Sequence, residues 1–538
     1  MACWLVVELV FVQQVLPPLL TALDNAGLCR YDLALPSAEP RCPLVPLSPD
    51  TLQLLEKFEV DPVRGFLPSE DPLLRLPQPE LQPWEDLVSD LPALLSAAQA
   101  RLPLSRLPIL PITLLETEPQ RRRALLLLSM LCHAFVWGEP ARPADALPPG
   151  IAVPLWRLAA DMGVPPVMTH LSLVLYNWRR LDPRGALDAT NLAAACQFLG
   201  GHDEAWFYLT TVEIEARGGP AMAALLQAQR AATAASAASS SAAAAAAACA
   251  ELAACLRAVE GAVHGMRGAL RRMSDGCDPR AFYHRVRPFL SGWRANPTLP
   301  RGVQYTGVPA SSAAAVAGAD DSSSGSCGCS GDGSICDGGG GGSGGGGCGC
   351  SARACFYGGS AAQSSLFAAL DAALGIAHDG AGAGAAFLAN MRAYMPPSHR
   401  AFLAHLGAAA APGVRGCVAA LRGGADGGGS SAQAAVDAYD AAVAAVEAFR
   451  TAHIGIVTAY ILQQARGGGS GAASPAPPEA TKSSGGGGGV HADASPEREG
   501  MYTRDKASGG KGTGGTDLLE FLRPLRDDAR AAVLQRKR

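Results

Sequence analysis

Apolar residues recur every three or four positions at Val436, Tyr439, Val443, Val446, Phe449, Val457 and Tyr460, the spacing of one helix face. His453, within "EAFRTAHIGIVTAYI", falls on that face. An imidazole turned into a core must be hydrogen-bonded, kept neutral or bound to a metal, because burying its nitrogens unpaired costs about 1–3 kcal/mol. A satisfied core histidine is the commoner outcome. Gly455 lies two residues on, where glycine costs about 1 kcal/mol relative to alanine, a cost a helix tolerates when something bulky must come close. The apolar run "ALLLLSMLCHAFVW" after Arg121–Arg123 reads as a buried core helix, too short for the roughly 20 residues of a membrane span. Residues 112–215 carry longer amphipathic stretches such as "VMTHLSLVLYNWRRL", whereas residues 1–110 hold short helical patterns broken by prolines. Strand signals are nearly absent, so the pattern predicts a mainly helical protein.

Low-complexity segments interrupt this pattern. "AATAASAASSSAAAAAAACA" has high helix propensity but no stripe of large side chains, and is expected to extend the helix running into "ELAACLRAVEGAVHGMRGALRRM". Residues 309–351 and 466–516 are dominated by Gly, Ser and Ala, too little apolar surface to offset the cost of ordering, and are expected to be mobile loops. Inserts are accordingly placed at about 226–248, 309–351 and 466–510, with mainly helical blocks at 278–308, 356–410 and 432–465. Cys327, Cys329, Cys336, Cys348 and Cys350 lie in the glycine-rich insert. Structural zinc sites space their pairs by about two to four residues among ordering side chains, so these cysteines read as low complexity rather than as a metal site.

Composition narrows the function classes. The chain has 538 residues, 48% hydrophobic, with a formal net charge of -4, enough for two or more domains and without electrostatic bias toward nucleic acid or anionic membrane. The apolar start "MACWLVVELVFVQQVLPPLL" lacks a cationic leader and carries Glu8, which argues against a signal peptide. Fifteen cysteines without such a signal point to reduced thiols and a cytoplasmic location.

Two further stretches are ambiguous alone. "AFYHRVRPFL" sets Phe282 and Arg287 near the start of an amphipathic helix, where aromatic residues are more often core than cofactor wall, and "GGSAAQSS" would suit any turn. In chain order, "DPRAFYHRVRPFLSGWRANPTLPRGVQYTGV", "FYGGSAAQSS", "FLANMRAYMPPSHRAFL", "FRTAHIGIVTAYI" and "KGTGGTDLLEFLRPLRD" resemble the indoleamine 2,3-dioxygenase family. The likeness extends upstream through "FLGGHDEAWFYLTTVEIEARG" and "LPPGIAVPLWRLAADMGVPPVMTHLSLVLYNWRRLDP" to about residue 107, and more weakly to "GFLPSEDPLLRLP".

That resemblance implies an all-α fold with a small N-terminal, mostly helical domain at 1–196 and a large haem-binding domain at 197–538, carrying disordered inserts. It implies haem b as cofactor, ferrous when O2 binds, with His453 as the proximal iron ligand and Arg450 and Asp371 paired nearby. Gly455 would leave room for the macrocycle. On the other side of the haem it implies Phe207, Thr211, Phe282, Tyr283 and Arg287, with the two phenylalanines packing on an indole ring and Arg287 pairing with an amino-acid carboxylate. Gly359, Ser360 and Ala361 would approach the substrate and haem edge, and Thr513, in "GTGGT", would close over the substrate ammonium. Thr211 stands where many members have serine, and His170 where the animal enzymes have a pocket-lining tyrosine, so substrate preference is expected to differ. The implied activity is insertion of O2 across the indole C2–C3 bond of L-tryptophan, in a monomer supplied by an electron donor. The alternative is a haem-binding sensor or carrier with little turnover.

Overall fold

The computed structural model describes residues 45–139, 141–238, 241–312, 351–378, 383–408, 413–423, 429–467 and 518–534. The N-terminal stretch, the cysteines from Cys327 to Cys350 and the segment with Thr513 lie outside the described residues.

Helices carry the architecture, as the pattern predicts. Helix α1, Glu118–Trp137, starts with a capping box between Thr117 and Gln120 and is buried almost all round from Arg123 onward. Arg123 is tolerated there because its Nη2 lies 2.6 Å from Glu85 Oε2. The apolar run therefore does form a core helix.

Helices α2, His202–Ala237, and α3, Ala242–Arg271, form a hairpin in which Trp206, near the start of α2, donates to the carbonyl of Arg272, just past the end of α3. The alanine tract is helical, as its propensity suggests, but it is split between these two helices instead of extending one. The oxygen of Ser241 caps α3 by accepting from the amide of Ala244. Within the tract only the ends pack, at Ala231, Ala232, Ala248 and Cys249, while most described residues between 233 and 247 are exposed; Ala228 and Ala253, just outside it, are buried as well. Small side chains make a close seam that leaves no stripe of large residues to read.

Helix α4, Ser365–Leu374, leads to helix α5, Ser430–Val457, which packs along α3, and helix α6, Leu518–Ala532, packs on α5. The apolar stripe of α5 is the buried face, with Val436, Tyr439, Val443, Val446, Phe449 and Val457 all in the core. By length and composition alone, α3 and α5 with their continuations could cross a membrane. Here they pack on each other.

Among the described residues, five short strands occur where almost none were expected. Strands β1 (Ala146–Leu147), β4 (Val303–Pro309) and β5 (Ser351–Ala354) form one sheet in the order β1-β4-β5, and β2 (Trp178–Arg180) pairs antiparallel with β3 (Leu192–Ala194). Most are too short for a period of two to register; β4 does bury Val303, Tyr305 and Val308. β4 and β5 are antiparallel, with Pro309 opposite Ser351, so the glycine-rich insert leaves and re-enters the fold at neighbouring points.

Three π-turns, Leu171–Leu175, Phe282–Val286 and Thr458–Leu462, each send side chains into one cavity. The helix expected at Phe282–Arg287 is thus interrupted by a π-turn, a feature concentrated at functional sites.

Candidate active site

The cavity has a volume of about 530 Å³, within the roughly 300–1,000 Å³ of small-molecule and cofactor sites. Side chains from α2, α4, α5 and α6 and from the three π-turns line it.

His453 borders it from the last turn of α5. Its ring is half-buried and makes no protein hydrogen bond among the described residues. Burial, and then the charge of Arg450, push its pKa down to about 4, so the imidazole is neutral near pH 7. Gly455, expected to leave room for the macrocycle, does not line the cavity: it is exposed, and a Cβ there would meet nothing within 4 Å among the described residues, so the fold does not require glycine at this position. The His453 observations suit a haem: a neutral, unpartnered imidazole has a lone pair to give, and the porphyrin nitrogens would supply the other iron ligands. Among the described residues no group of three His, Cys, Asp or Glu could hold a bare metal ion.

Below His453, Arg450 Nη2 lies 2.6 and 2.7 Å from the two carboxylate oxygens of Asp371, and its Nη1 donates to the carbonyl of Leu525. The pairing inferred from the resemblance is therefore present, and it is larger than a pair. His378 Nε2 lies 2.8 Å from Asp371 Oδ2, and His378 Nδ1 lies 2.9 Å from Asp528 Oδ2. The network ties α4 and α5 to α6, whose Leu518, Phe521, Leu522 and Leu525 wall the cavity. His378 and Asp528 were not anticipated from the sequence.

Also on the cavity wall, Phe207 and Phe282 have ring centroids 4.6 Å apart, inclined at 42°, and Phe282 meets Tyr460 at 5.9 Å. Arg287 is 3% exposed, reaches the cavity, and holds its guanidinium 5.3 Å from the ring centre of Tyr283. Tyr283 itself does not line the cavity; it lies behind Arg287 as an aromatic support. Thr211 lines the cavity, and its hydroxyl donates to the carbonyl of Phe207 at 2.9 Å, which leaves it acceptor capacity only.

Gly359, Ser360 and Ala361 also line the cavity. The crowded glycine is the preceding one, because a Cβ at Gly358 would sit 2.1 Å from the carbonyl oxygen of Leu290 and one at Gly292 would sit 2.2 Å from the amide of Gly358. Glycine at both positions lets the loop press against the segment that follows Arg287. Ser360 caps a short turn with Gln363. The Gln363 side chain accepts from the amide of His170 at 2.9 Å and donates to the carbonyl of Gly358 at 2.9 Å, so it joins the loop to the His170 segment.

His170 lines the cavity with its Nε2 2.9 Å from Glu215 Oε1, an oxygen that also accepts from the hydroxyl of Ser364 at 2.5 Å. Glu215, Ser364 and Gln363 escaped the sequence reading. For Glu215 a signal existed: Phe207, Thr211 and Glu215 follow one another at helical i, i+4 spacing.

The family model for indoleamine 2,3-dioxygenase matches residues 54–335 and 345–532. The chain is 30% identical to human indoleamine 2,3-dioxygenase 2 over 491 residues, covering 91% of this chain and 96% of that protein. It is 32% identical over 500 residues to the indoleamine 2,3-dioxygenase of Saccharomyces cerevisiae, with 90% and 94% covered. A 6-hydroxytryptophan 2,3-dioxygenase of Fusarium equiseti is 29% identical over 482 residues, with 89% and 98% covered.

Proposed function

The chain belongs to the indoleamine 2,3-dioxygenase family, and from that premise we propose that this dioxygenase cleaves the indole ring of L-tryptophan to N-formylkynurenine, with haem b held by His453. The observation that carries the reading is the placement, on one cavity, of a neutral unpartnered imidazole, an aromatic pair and a buried guanidinium.

When bound, the haem supplies the redox chemistry that makes O2 reactive. The C2–C3 bond breaks and both oxygen atoms enter the product, so no external reductant is consumed per turnover; an electron donor serves only to keep the iron ferrous. The chain's own residues bind, orient and exclude water. Phe207 and Phe282 offer aromatic faces to an indole, and Arg287 offers parallel N–H donors to the carboxylate. Orientation in an enclosed site lowers the entropic part of the barrier. Thr211 can accept a hydrogen bond, such as one from the indole N–H, but is not poised as a base. Gly359, Ser360 and Ala361 form the adjoining loop wall. The protein acts as a cytoplasmic monomer in this reading.

The test is spectroscopic and chemical. Reconstituted wild type shows a Soret band, His453→Ala folds without retaining stoichiometric haem, and reduced wild type with L-tryptophan in air accumulates N-formylkynurenine. An unchanged Soret band in His453→Ala removes the ligand assignment. Haem binding with no product from any indole leaves the sensor or carrier reading.

A further inference from the structure

A second cavity has a volume of about 760 Å³, also within the range of small-molecule sites, and shares no lining residue with the first. Stretches distant in sequence build it: the helix Pro49–Lys57 with the loop after it, the start of α1, the end of the helix Pro149–Asp161, and Pro396 to His399. The segment around the first π-turn serves both cavities, with Leu171 and Tyr176 on this one and His170, Leu173 and Val174 on the other.

Leu55, Val60, Phe66, Leu67, Val164 and Leu171 give it an apolar lining, and all six are buried. Its charged lining is unbalanced: the carboxylates of Glu56, Glu59, Asp61, Glu118 and Asp161 stand against the guanidiniums of Arg121 and Arg122. Arg122 is committed, 3.2 Å from Glu118 Oε1 and 5.4 Å from the ring centre of Tyr176. Asp61 Oδ1 accepts from the amides of Val63 and Arg64. Glu56, Glu59, Asp161 and Arg121 have no side-chain partner among the described residues. His399, on the same wall, adds no charge, because burial, with the charges of Arg122 and His170, pushes its pKa down to about 3.

Tyr176 adds an observation independent of the acids. It is 8% exposed, and its hydroxyl has no hydrogen-bond partner among the described residues without being fully enclosed. Burial raises its pKa, so the phenol stays protonated and offers one O–H and two lone pairs. The charges that act on it are those of Arg122, Glu118 and Glu59, all on the cavity wall, which sets the hydroxyl on that side.

We infer that this cavity is a second binding site, for an organic ammonium ion with an aromatic or branched aliphatic body. The body covers the apolar lining, an ammonium N–H donates to the Tyr176 oxygen, and the uncommitted carboxylates hold the charge. An anion would find one uncommitted cation, Arg121, among three uncommitted acids. The inference stands apart from the reaction proposed above, because no residue of the first cavity takes part in it.

Calorimetric titration of the full-length, haem-loaded protein compares 2-phenylethylamine with 2-phenylethanol and 3-phenylpropionate, which keep the ring and carry a neutral or an anionic group. The amine is expected to bind one per chain, about tenfold or more tightly than the alcohol, without shifting the Soret band, while the carboxylate does not bind. Tyr176→Phe should weaken the amine about tenfold, and Phe207→Ala, in the first cavity, should leave it unchanged. No binding of the amine, equal binding of the carboxylate, or a Tyr176→Phe protein that binds the amine as well as the wild type overturns the inference. So does a Soret shift on adding the amine or loss of binding in Phe207→Ala, since either puts the amine in the first cavity. Should Tyr176→Phe not fold, Glu59→Gln combined with Asp161→Asn decides, both side chains being exposed. That variant should lose most of the amine's advantage over the alcohol, and an unchanged ratio overturns the inference.

Discussion

Asp371→Ala removes the carboxylate on which Arg450 and His378 converge, and its cost follows from the geometry. Three contacts are lost: Arg450 Nη2 at 2.6 and 2.7 Å and His378 Nε2 at 2.8 Å. The side chains of Arg450, Asp371 and His378 are only 11%, 14% and 15% exposed, so water screens them weakly. Removing one member of a fully buried pair costs about 3–5 kcal/mol. Arg450 keeps the Leu525 carbonyl and His378 keeps Asp528, so the expected loss is smaller, about 2–3 kcal/mol. The pH dependence gives a second handle. Burial opposes the charge of Asp371, but Arg450 and the hydrogen bond from His378 override it and hold its pKa below the usual value. That contribution is present above about pH 4 and is lost as pH falls. Burial likewise opposes the His378 cation, and the hydrogen bond to Asp371 overrides it and raises its pKa. That contribution is complete below about pH 6.5 and is lost as pH rises through the raised folded value. Urea melts across pH, with hydrogen exchange of residues 518–532, are the assay. The wild type should be most stabilised by the network between those limits, and Asp371→Ala should flatten both flanks and speed exchange in α6. A loss below about 0.5 kcal/mol with unchanged slopes would refute the claim that this network fastens α6 to α5.

Further outcomes follow from other parts of the site. Arg287→Leu should lower kcat/KM for L-tryptophan about thirtyfold to a thousandfold, the equivalent of roughly 2–4 kcal/mol, with an unaltered Soret band; equal losses for indoles without a carboxylate would make Arg287 structural. Replacing residues 313–350 with a short Gly/Ser linker should preserve haem binding and most activity, because Pro309 already faces Ser351 across β4 and β5; dependence on added zinc would overturn the low-complexity reading of its cysteines. Burial pushes the His133 pKa down to about 4, against the hydrogen bond to Phe289, so the folded state keeps it neutral while the unfolded state takes up a proton near pH 6.5. Acidification from about pH 6.5 toward 4 should therefore erode stability by up to about 1.4 kcal/mol per pH unit, and His133→Gln should reduce that slope in urea melts; an identical slope would remove His133 from the account.

What was legible in the sequence was what repeats locally. The α5 face could be read because its large apolar residues recur at helical spacing and the same face is buried. The alanine seam between α2 and α3 could not, because small residues buried by close approach carry no periodic contrast. The sheet was missed because β1, β2 and β3 have only two or three residues each. At the site, the residues named by resemblance lie in recognisable phrases, whereas His378–Asp528 and Glu215–Ser364 join positions 150 and 149 residues apart. Such pairs exist only once the chain is folded, and no spacing rule reaches them.

The α2–α3 hairpin also bears on the order in which the molecule assembles. Its two long helices are adjacent in the chain and joined across residues 238–241, so their contacts close short loops and belong to the fast end of folding. Helix α5 reaches α3 only after a loop of more than 150 residues has closed, and α6 follows it. Chain topology thus delivers His453 to a cavity that α2 and α3 also line, and on the proposed reading a haem would bind the nearly finished protein. Cofactor supply should then govern how much of the finished chain survives in active form, with little influence on how quickly the hairpin itself appears.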